Sequence, residues 1–339
     1  MRRPPTLATG LAGLLLAGAL GGCGGGGAAP AATASPTSAA RAARTSAPRP
    51  AASVRLRIVA SRRLPAPVQL PAVAVAGGRV LAAGGLSAAD TSVADVVAVA
   101  GAGVAAPRRI GSLPQALHDL GAASLGGRVL LFGGGSTSGS ASSVFAVSPA
   151  GAVTTAARLP VGISDSAAAT IGSTAYVVGG YTGSVPLRSV LAYTPGQPGL
   201  RDVARLPHPL RYAAVAAVGG RLLVAGGTDG VHAQRAILSV DPATGRVTTI
   251  GRLPQPLEHA AGAALGGIFY VIGGRGDALS GQRAAILAID PASGRIRTAG
   301  ALPKPLSDLG AATLGGRVWV VGGRDASGDV TATAWELAR

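Results

Sequence analysis

The sequence predicts an all-β domain, a six-bladed β-propeller of four-stranded blades, and three observations predict it. Six times an apolar run ends in a glycine pair: Gly84-Gly85, Gly133-Gly134, Gly179-Gly180, Gly226-Gly227, Gly273-Gly274 and Gly322-Gly323. About 20 residues before each pair stands a Leu-Pro step, at Leu64, Leu113, Leu159, Leu206, Leu253 and Leu302. These steps recur every 46 to 49 positions, and a fixed period near 50 residues built from short strands fits radial repetition rather than a sandwich.

The fifth unit, from Leu253, shows the elements in order. Four strands are predicted, over His259–Leu265, Ile268–Ile272, Ala285–Ile289 and Arg295–Ala299. Gly266-Gly267 turns the first into the second, and Asp290-Pro291-Ala292-Ser293-Gly294 turns the third into the fourth. Asp241 opens the same turn in the fourth unit. The Asp-Pro-x-x-Gly setting makes these aspartates turn formers rather than metal ligands. Small residues dominate each first strand, as in Gly121–Gly126 and Gly310–Gly315, where inner strands crowd an axis; bulkier aliphatics fill the second. The glycine pair that follows allows a positive φ or a close backbone approach.

The sixth unit supplies strands over Leu309–Leu314, Val318–Val321 and Thr331–Leu337 and lacks a fourth. Val54–Ala60 precedes the first Leu-Pro step as fourth strands precede the later ones. It is therefore expected to complete the sixth blade and remove its open edge. The expected division is 1–22 signal peptide, 23–52 tether and 53–339 propeller.

Arg2 and Arg3 form a positive leader, and Leu7 to Leu20 is an uncharged, largely apolar run too short to span a bilayer comfortably. It ends in Leu20-Gly21-Gly22-Cys23, which resembles the lipobox of bacterial lipoproteins. That resemblance implies lipidation of Cys23, the sole cysteine, and an extracytoplasmic protein anchored to the cell membrane. The Gly, Ala, Ser, Thr and Pro that follow bury too little apolar surface to order themselves. As a flexible coil they would reach on the order of 30 Å. No internal disulfide is possible.

The net charge is +16, and from residue 53 onward 25 basic residues against 14 acidic ones leave +11. Such a balance draws a domain toward anionic lipid head groups or wall polymers. The competing and favoured reading is compositional, since nearly all the bases are Arg and many sit in turns, among them Arg79, Arg128, Arg221 and Arg317. Nucleic acid is not expected as a partner of an exported chain without aromatic stacking platforms.

The repeated pattern resembles kelch repeats over residues 54–339: Leu-Pro, a polar residue, an Ala-rich strand, Gly-Gly-Arg, an aliphatic strand ending in Gly-Gly, then Asp-Pro and a Thr-Gly or Ser-Gly turn. It departs from that pattern in its aromatics, with Tyr193, Phe145 and Trp335 the nearest equivalents and no Trp in any fourth strand. The resemblance implies that loops joining fourth to first and second to third strands open on one ligand-binding face. In the first class fall His118 and Asp119, Ser164 and Asp165, Arg211 and Tyr212, Glu258 and His259, Ser307 and Asp308, and the atypical Gln69 and Leu70. In the second fall Tyr181, Asp229, Arg275, Asp277, Arg324 and Asp325. The binding candidates are therefore His118, Asp119, Asp165, Tyr181, Arg211, Tyr212, Glu258, His259, Arg275, Asp308 and Arg324.

Two functions fit. One is a non-catalytic binding module that grips a protein or glycan with this face, working as a monomer without cofactor or metal. The other is a sugar epimerase or isomerase using Glu258, His259 and Asp119 as acids and bases, for which kelch proteins acting on sialic acid are a precedent. The absence of a Cys in the propeller excludes a Cys–Tyr copper site, the sialidase Ser-x-Asp-x-Gly-x-x-Trp box is missing, and His118, His208, His232 and His259 show no close ligand spacing. Binding is the preferred reading.

Overall fold

The computed structural model describes residues 54–339, which form one compact unit; the signal segment, Cys23 and the tether expected from the sequence lie outside the described residues. Six four-stranded antiparallel sheets succeed one another around an axis, and among the described residues there is no helix. The inner strands of blades 1 to 6 are Ala72–Ala76, Gly121–Leu125, Ala167–Ile171, Ala214–Val218, Ala261–Leu265 and Gly310–Leu314. In the sixth blade Arg57–Arg63 pairs antiparallel with Thr333–Ala338, so the first described strand lies outside the last one.

The period-2 rule of a half-buried strand holds only at the rim. Second strands such as Arg128–Phe132 are buried at four successive positions, because each blade is covered on both faces by its neighbours. Outer strands such as Arg57–Arg63 alternate exposed and half-buried. The inner strands contribute Ala74, Ala123, Ala169, Ala216, Ala263 and Ala312, one per blade at the same register, to the wall of an axial cavity of about 270 Å³. Six backbones converge there, and a methyl group is the side chain at each of those positions. Phe145, Tyr193 and Trp335 all lie buried in third strands, while the third strands of blades 1, 4 and 5 carry aliphatics and blade 5 buries Phe269 and Tyr270 in its second strand.

The Leu-Pro and Gly-Gly signatures meet at the joints between blades. The six leucines are at most 4% exposed, and five donate their N–H to the carbonyl of the residue just ahead of a third strand, as Leu113 does to Ala94 at 2.7 Å. The second glycine of every pair donates to a carbonyl just ahead of the next inner strand; Gly134 N–H reaches Ile163 O at 2.8 Å, and Gly323 closes the ring on Val68 at 2.9 Å. The first glycine lies against the same carbonyl. A Cβ on Gly133 would sit 2.0 Å from Ile163 O, and φ there is +64°.

Several strand limits differ from those read off the sequence. The first strand of blade 5 begins at Ala261 rather than His259, because His259 adopts φ 54°, outside the strand region. Its outer strand extends over Ile296–Leu306, carrying the Leu302-Pro303 step within it. The N-terminal strand covers 57–63 rather than 54–60.

Candidate functional site

Six residues with positive φ that are not glycine stand one per blade just ahead of the inner strands: Leu70 (55°), Asp119 (55°), Asp165 (58°), Tyr212 (52°), His259 (54°) and Asp308 (61°). Left-handed backbone costs roughly 1–2 kcal/mol for an ordinary L-residue. Here it is held by five main-chain bonds that link the six residues in succession from Asp119 round to Leu70. Asp165 N–H donates to Asp119 O at 3.0 Å, Tyr212 to Asp165 at 3.0 Å, His259 to Tyr212 at 3.1 Å, Asp308 to His259 at 3.0 Å and Leu70 to Asp308 at 2.6 Å. All six residues line a pocket of about 110 Å³ at the mouth of the axis.

Their side chains form a connected polar belt. Arg211 donates to Asp165 Oδ2 from Nε at 2.7 Å, its Nη2 lies 2.5 Å from the same oxygen, and its guanidinium stands 4.0 Å from the centre of the Tyr181 ring. Tyr212 Oη donates to Asp119 Oδ2 at 3.3 Å and its ring stacks on His259, centroids 3.6 Å apart. His259 Nδ1 lies 2.5 Å from Asp308 Oδ1, but the oxygen sits off the ring's N–H direction, so the contact is close and polar without being a linear hydrogen bond. Ser307 Oγ donates to the other oxygen of Asp308.

The belt splits its carboxyls into two kinds. Burial, followed by the charges of Asp165 and Asp308, raises the Asp119 carboxyl well above the ordinary range; its side chain is 5% exposed. Burial also pushes Asp308 upward, but His259, Ser307 and Arg275 hold it below the ordinary value. Burial lowers the His118 imidazole and raises the Tyr212 phenol. Asp119 is thus the acid of this ring best placed to carry a proton into the pocket.

The remaining candidates fall around rather than in the pocket. Glu258 Oε1 is paired with Arg275 Nη1 at 2.5 Å and stands 3.9 Å from His259 Nε2. His118 Nδ1 shares a hydrogen bond with Ser92 Oγ at 2.8 Å, and its Nε2 is 3.8 Å from Asp119 Oδ2. Arg324 reaches across to Asp90 of the first blade at 3.6 Å. Asp229 and Asp325 accept backbone N–H bonds in their own loops, and Asp290 does so in its turn. Among the described residues no group of three or more His, Cys, Asp or Glu is placed to hold a metal ion.

One polar pocket residue escaped the sequence reading. Ser166 lines the pocket and its Oγ is buried without a partner. A signal existed: at the seventh place after each Leu of a Leu-Pro step stand Pro71, Leu120, Ser166, Ala213, Ala260 and Leu309, and only one of these is polar. Also unforeseen were Val185, Val231 and Leu279, 56%, 76% and 80% exposed, at the tips of the loops that follow the glycine pairs of blades 3, 4 and 5. Those loops open on the pocket face.

Comparison with known proteins agrees with the architecture. A family model, the Kelch motif, matches residues 163–197. No curated protein matches the sequence. Among solved structures, one described as "Structure of YjhT" superposes with a TM-score of 0.68 at 14% identity, covering 80% of this chain and 95% of that one, a likeness of fold. The chain is a six-bladed β-propeller with a kelch motif in its third blade.

Proposed function

We propose that the chain is an extracytoplasmic interaction module, anchored through Cys23, whose mouth face grips a protein partner. One observation carries the choice of partner: the pocket measures about 110 Å³ and holds the unpaired Ser166 hydroxyl and the proton-favouring Asp119 carboxyl. Sites that enclose a whole small molecule run to about 300–1,000 Å³. A pocket of this size takes one polar side chain from a larger surface, and the exposed Val185, Val231 and Leu279 on the same face supply apolar contacts around it. The epimerase alternative has less support, since Glu258 is engaged by Arg275 outside the pocket lining.

A photo-crosslinking residue at Ser184 or Ser280, beside the apolar tips, is expected to give one discrete protein adduct in cells, lost in a Val231→Glu, Leu279→Glu variant that melts at the wild-type temperature. Absence of a discrete adduct, together with saturable thermal stabilisation by a monosaccharide or sialic acid, would replace the protein partner by a glycan. For the anchor, Cys23→Ser is expected to move the chain from the salt-washed membrane fraction to the soluble one. Retention of that variant in salt-washed membranes would refute lipid attachment.

A further inference from the structure

The two ends of the propeller differ in charge. Strand direction sorts the residues: inner and third strands run away from the pocket face, second and outer strands run back toward it. Nine of the 14 acids lie in the loops and ring of the pocket face. At the opposite face, second strands open with Arg79, Arg128, Arg221 and Arg317 in four of the six blades. The outer strands of blades 1, 3, 4 and 5 start at, or one residue after, another arginine, Arg108 and Arg246 among them. The acids at this end are engaged already: Asp241 pairs with Arg221 at 3.4 Å, Glu336 with Arg317 at 3.3 Å, Asp202 with Arg205 at 3.6 Å, and Asp290 caps its own turn. Arg108, Arg128 and Arg246 are exposed.

The described chain begins at this same face. Val54 O accepts the Tyr270 hydroxyl at 3.1 Å, and Tyr270 Oη is also bonded by Arg339, whose Nη2 reaches the carbonyl of Leu265 beside the Gly266-Gly267 turn. The first described residue, Val54, thus lies on the arginine side, away from the pocket.

We propose that this arginine face docks on an anionic lipid surface. Arginines spread over the turns of successive blades present a broad cationic plane rather than a cleft, which fits a sheet of phosphodiester head groups. The acidic mouth would then be repelled from the surface and turned outward, toward its partner. This assignment depends on the lower face alone, so its outcome and that of the Cys23 test are separable.

Residues 52–339 contain all six blades, the closing strand and the core, and this compact unit is tested without the preceding segment. It is expected to co-sediment with vesicles of phosphatidylcholine mixed with phosphatidylglycerol at low salt, and neither with phosphatidylcholine alone nor at high salt. Each surface arginine contributes on the order of fivefold, so the variant Arg108→Gln, Arg128→Gln, Arg246→Gln, Arg295→Gln is expected to partition on the order of several hundredfold more weakly. A variant with the same charge loss at the pocket-side ends of outer strands, Arg63→Gln, Arg158→Gln, Arg205→Gln, Arg252→Gln, is expected to keep most of its binding. Equal losses in the two variants would reduce the effect to net charge and overturn the assignment. So would binding to a soluble polyglycerol phosphate without binding to the vesicles. Should the first variant fail to fold, the lipid and salt dependence of the wild-type domain and the second variant decide alone.

Discussion

Replacing Gly133 by alanine is expected to destabilise the propeller by about 3–5 kcal/mol, whereas Gly127→Ala is expected to cost about 1–2 kcal/mol. Both glycines have positive φ, +64° and +73°, so the backbone penalty of a Cβ is common to the two. Their surroundings differ. Nothing lies within 4 Å of a Cβ added at Gly127, while at Gly133 the new atom would meet Ile163 O at 2.0 Å. That oxygen is the acceptor of the Gly134 N–H at 2.8 Å, so relief of the clash requires blades 2 and 3 to separate and a buried joint bond to lengthen. Domains are stable by only about 5–15 kcal/mol, so the first variant removes a large fraction of the total. Urea denaturation of both variants checks this, and similar midpoints would show that the blades are joined more loosely than the geometry implies.

This joint explains why so much of the fold was legible in the sequence. Gly-Gly, Leu-Pro and the inner alanine are constrained by one geometry repeated six times, and a repeated constraint leaves a period. Strand limits were less legible. His259 and Leu309 sit beside strands in sequence and satisfy strand propensity, yet the left-handed turn at the ring excludes His259 and delays the start of the sixth blade's inner strand to Gly310. Register from the Leu-Pro step placed Asp119, Asp165, Tyr212, His259 and Asp308 around one mouth. It did not show that Glu258 and Arg275 would satisfy one another beside it, because pairing between two loops of one blade depends on side-chain direction rather than on spacing. Ser166 was missed because a single hydroxyl among apolar equivalents carries weight only once the pocket around it is known. The charge difference between the faces was hidden for another reason: acids and arginines alternate along the chain and separate only when strand direction assigns each turn to a face.

Asp119→Asn is expected to stabilise the domain at neutral pH by on the order of 1–3 kcal/mol, the range for removing an unfavourably buried charge. The groups facing Asp119 are Asp165 and Asp308, which raise its pKa after burial does, with Tyr212 and Arg211 opposing, and His118 Nε2 at 3.8 Å. Its folded pKa lies above the unfolded one, near 3.9. The native state therefore binds more protons than the unfolded state between those two values, and stability falls as pH rises from about 4 through the folded pKa. Asp308 works in the opposite sense: its folded pKa is lowered, so its contribution is present above the unfolded pKa and is lost as pH falls through the folded one. Asparagine keeps an acceptor for the Tyr212 hydroxyl, 3.3 Å away in the wild type, while removing the ionisation. Measured from pH 3 to 8, the wild-type denaturation midpoint should fall relative to that of Asp119→Asn as pH rises above about 4, the lowered His118 acting on both curves alike, and both should drop below about pH 4 through Asp308. A variant less stable than wild type at neutral pH, with an unchanged slope, would show that Asp119 is a structural acceptor in its ionised form. The expected gain instead marks a residue whose ionised form is held at a cost to stability, in a backbone turn that is itself strained at φ 55°.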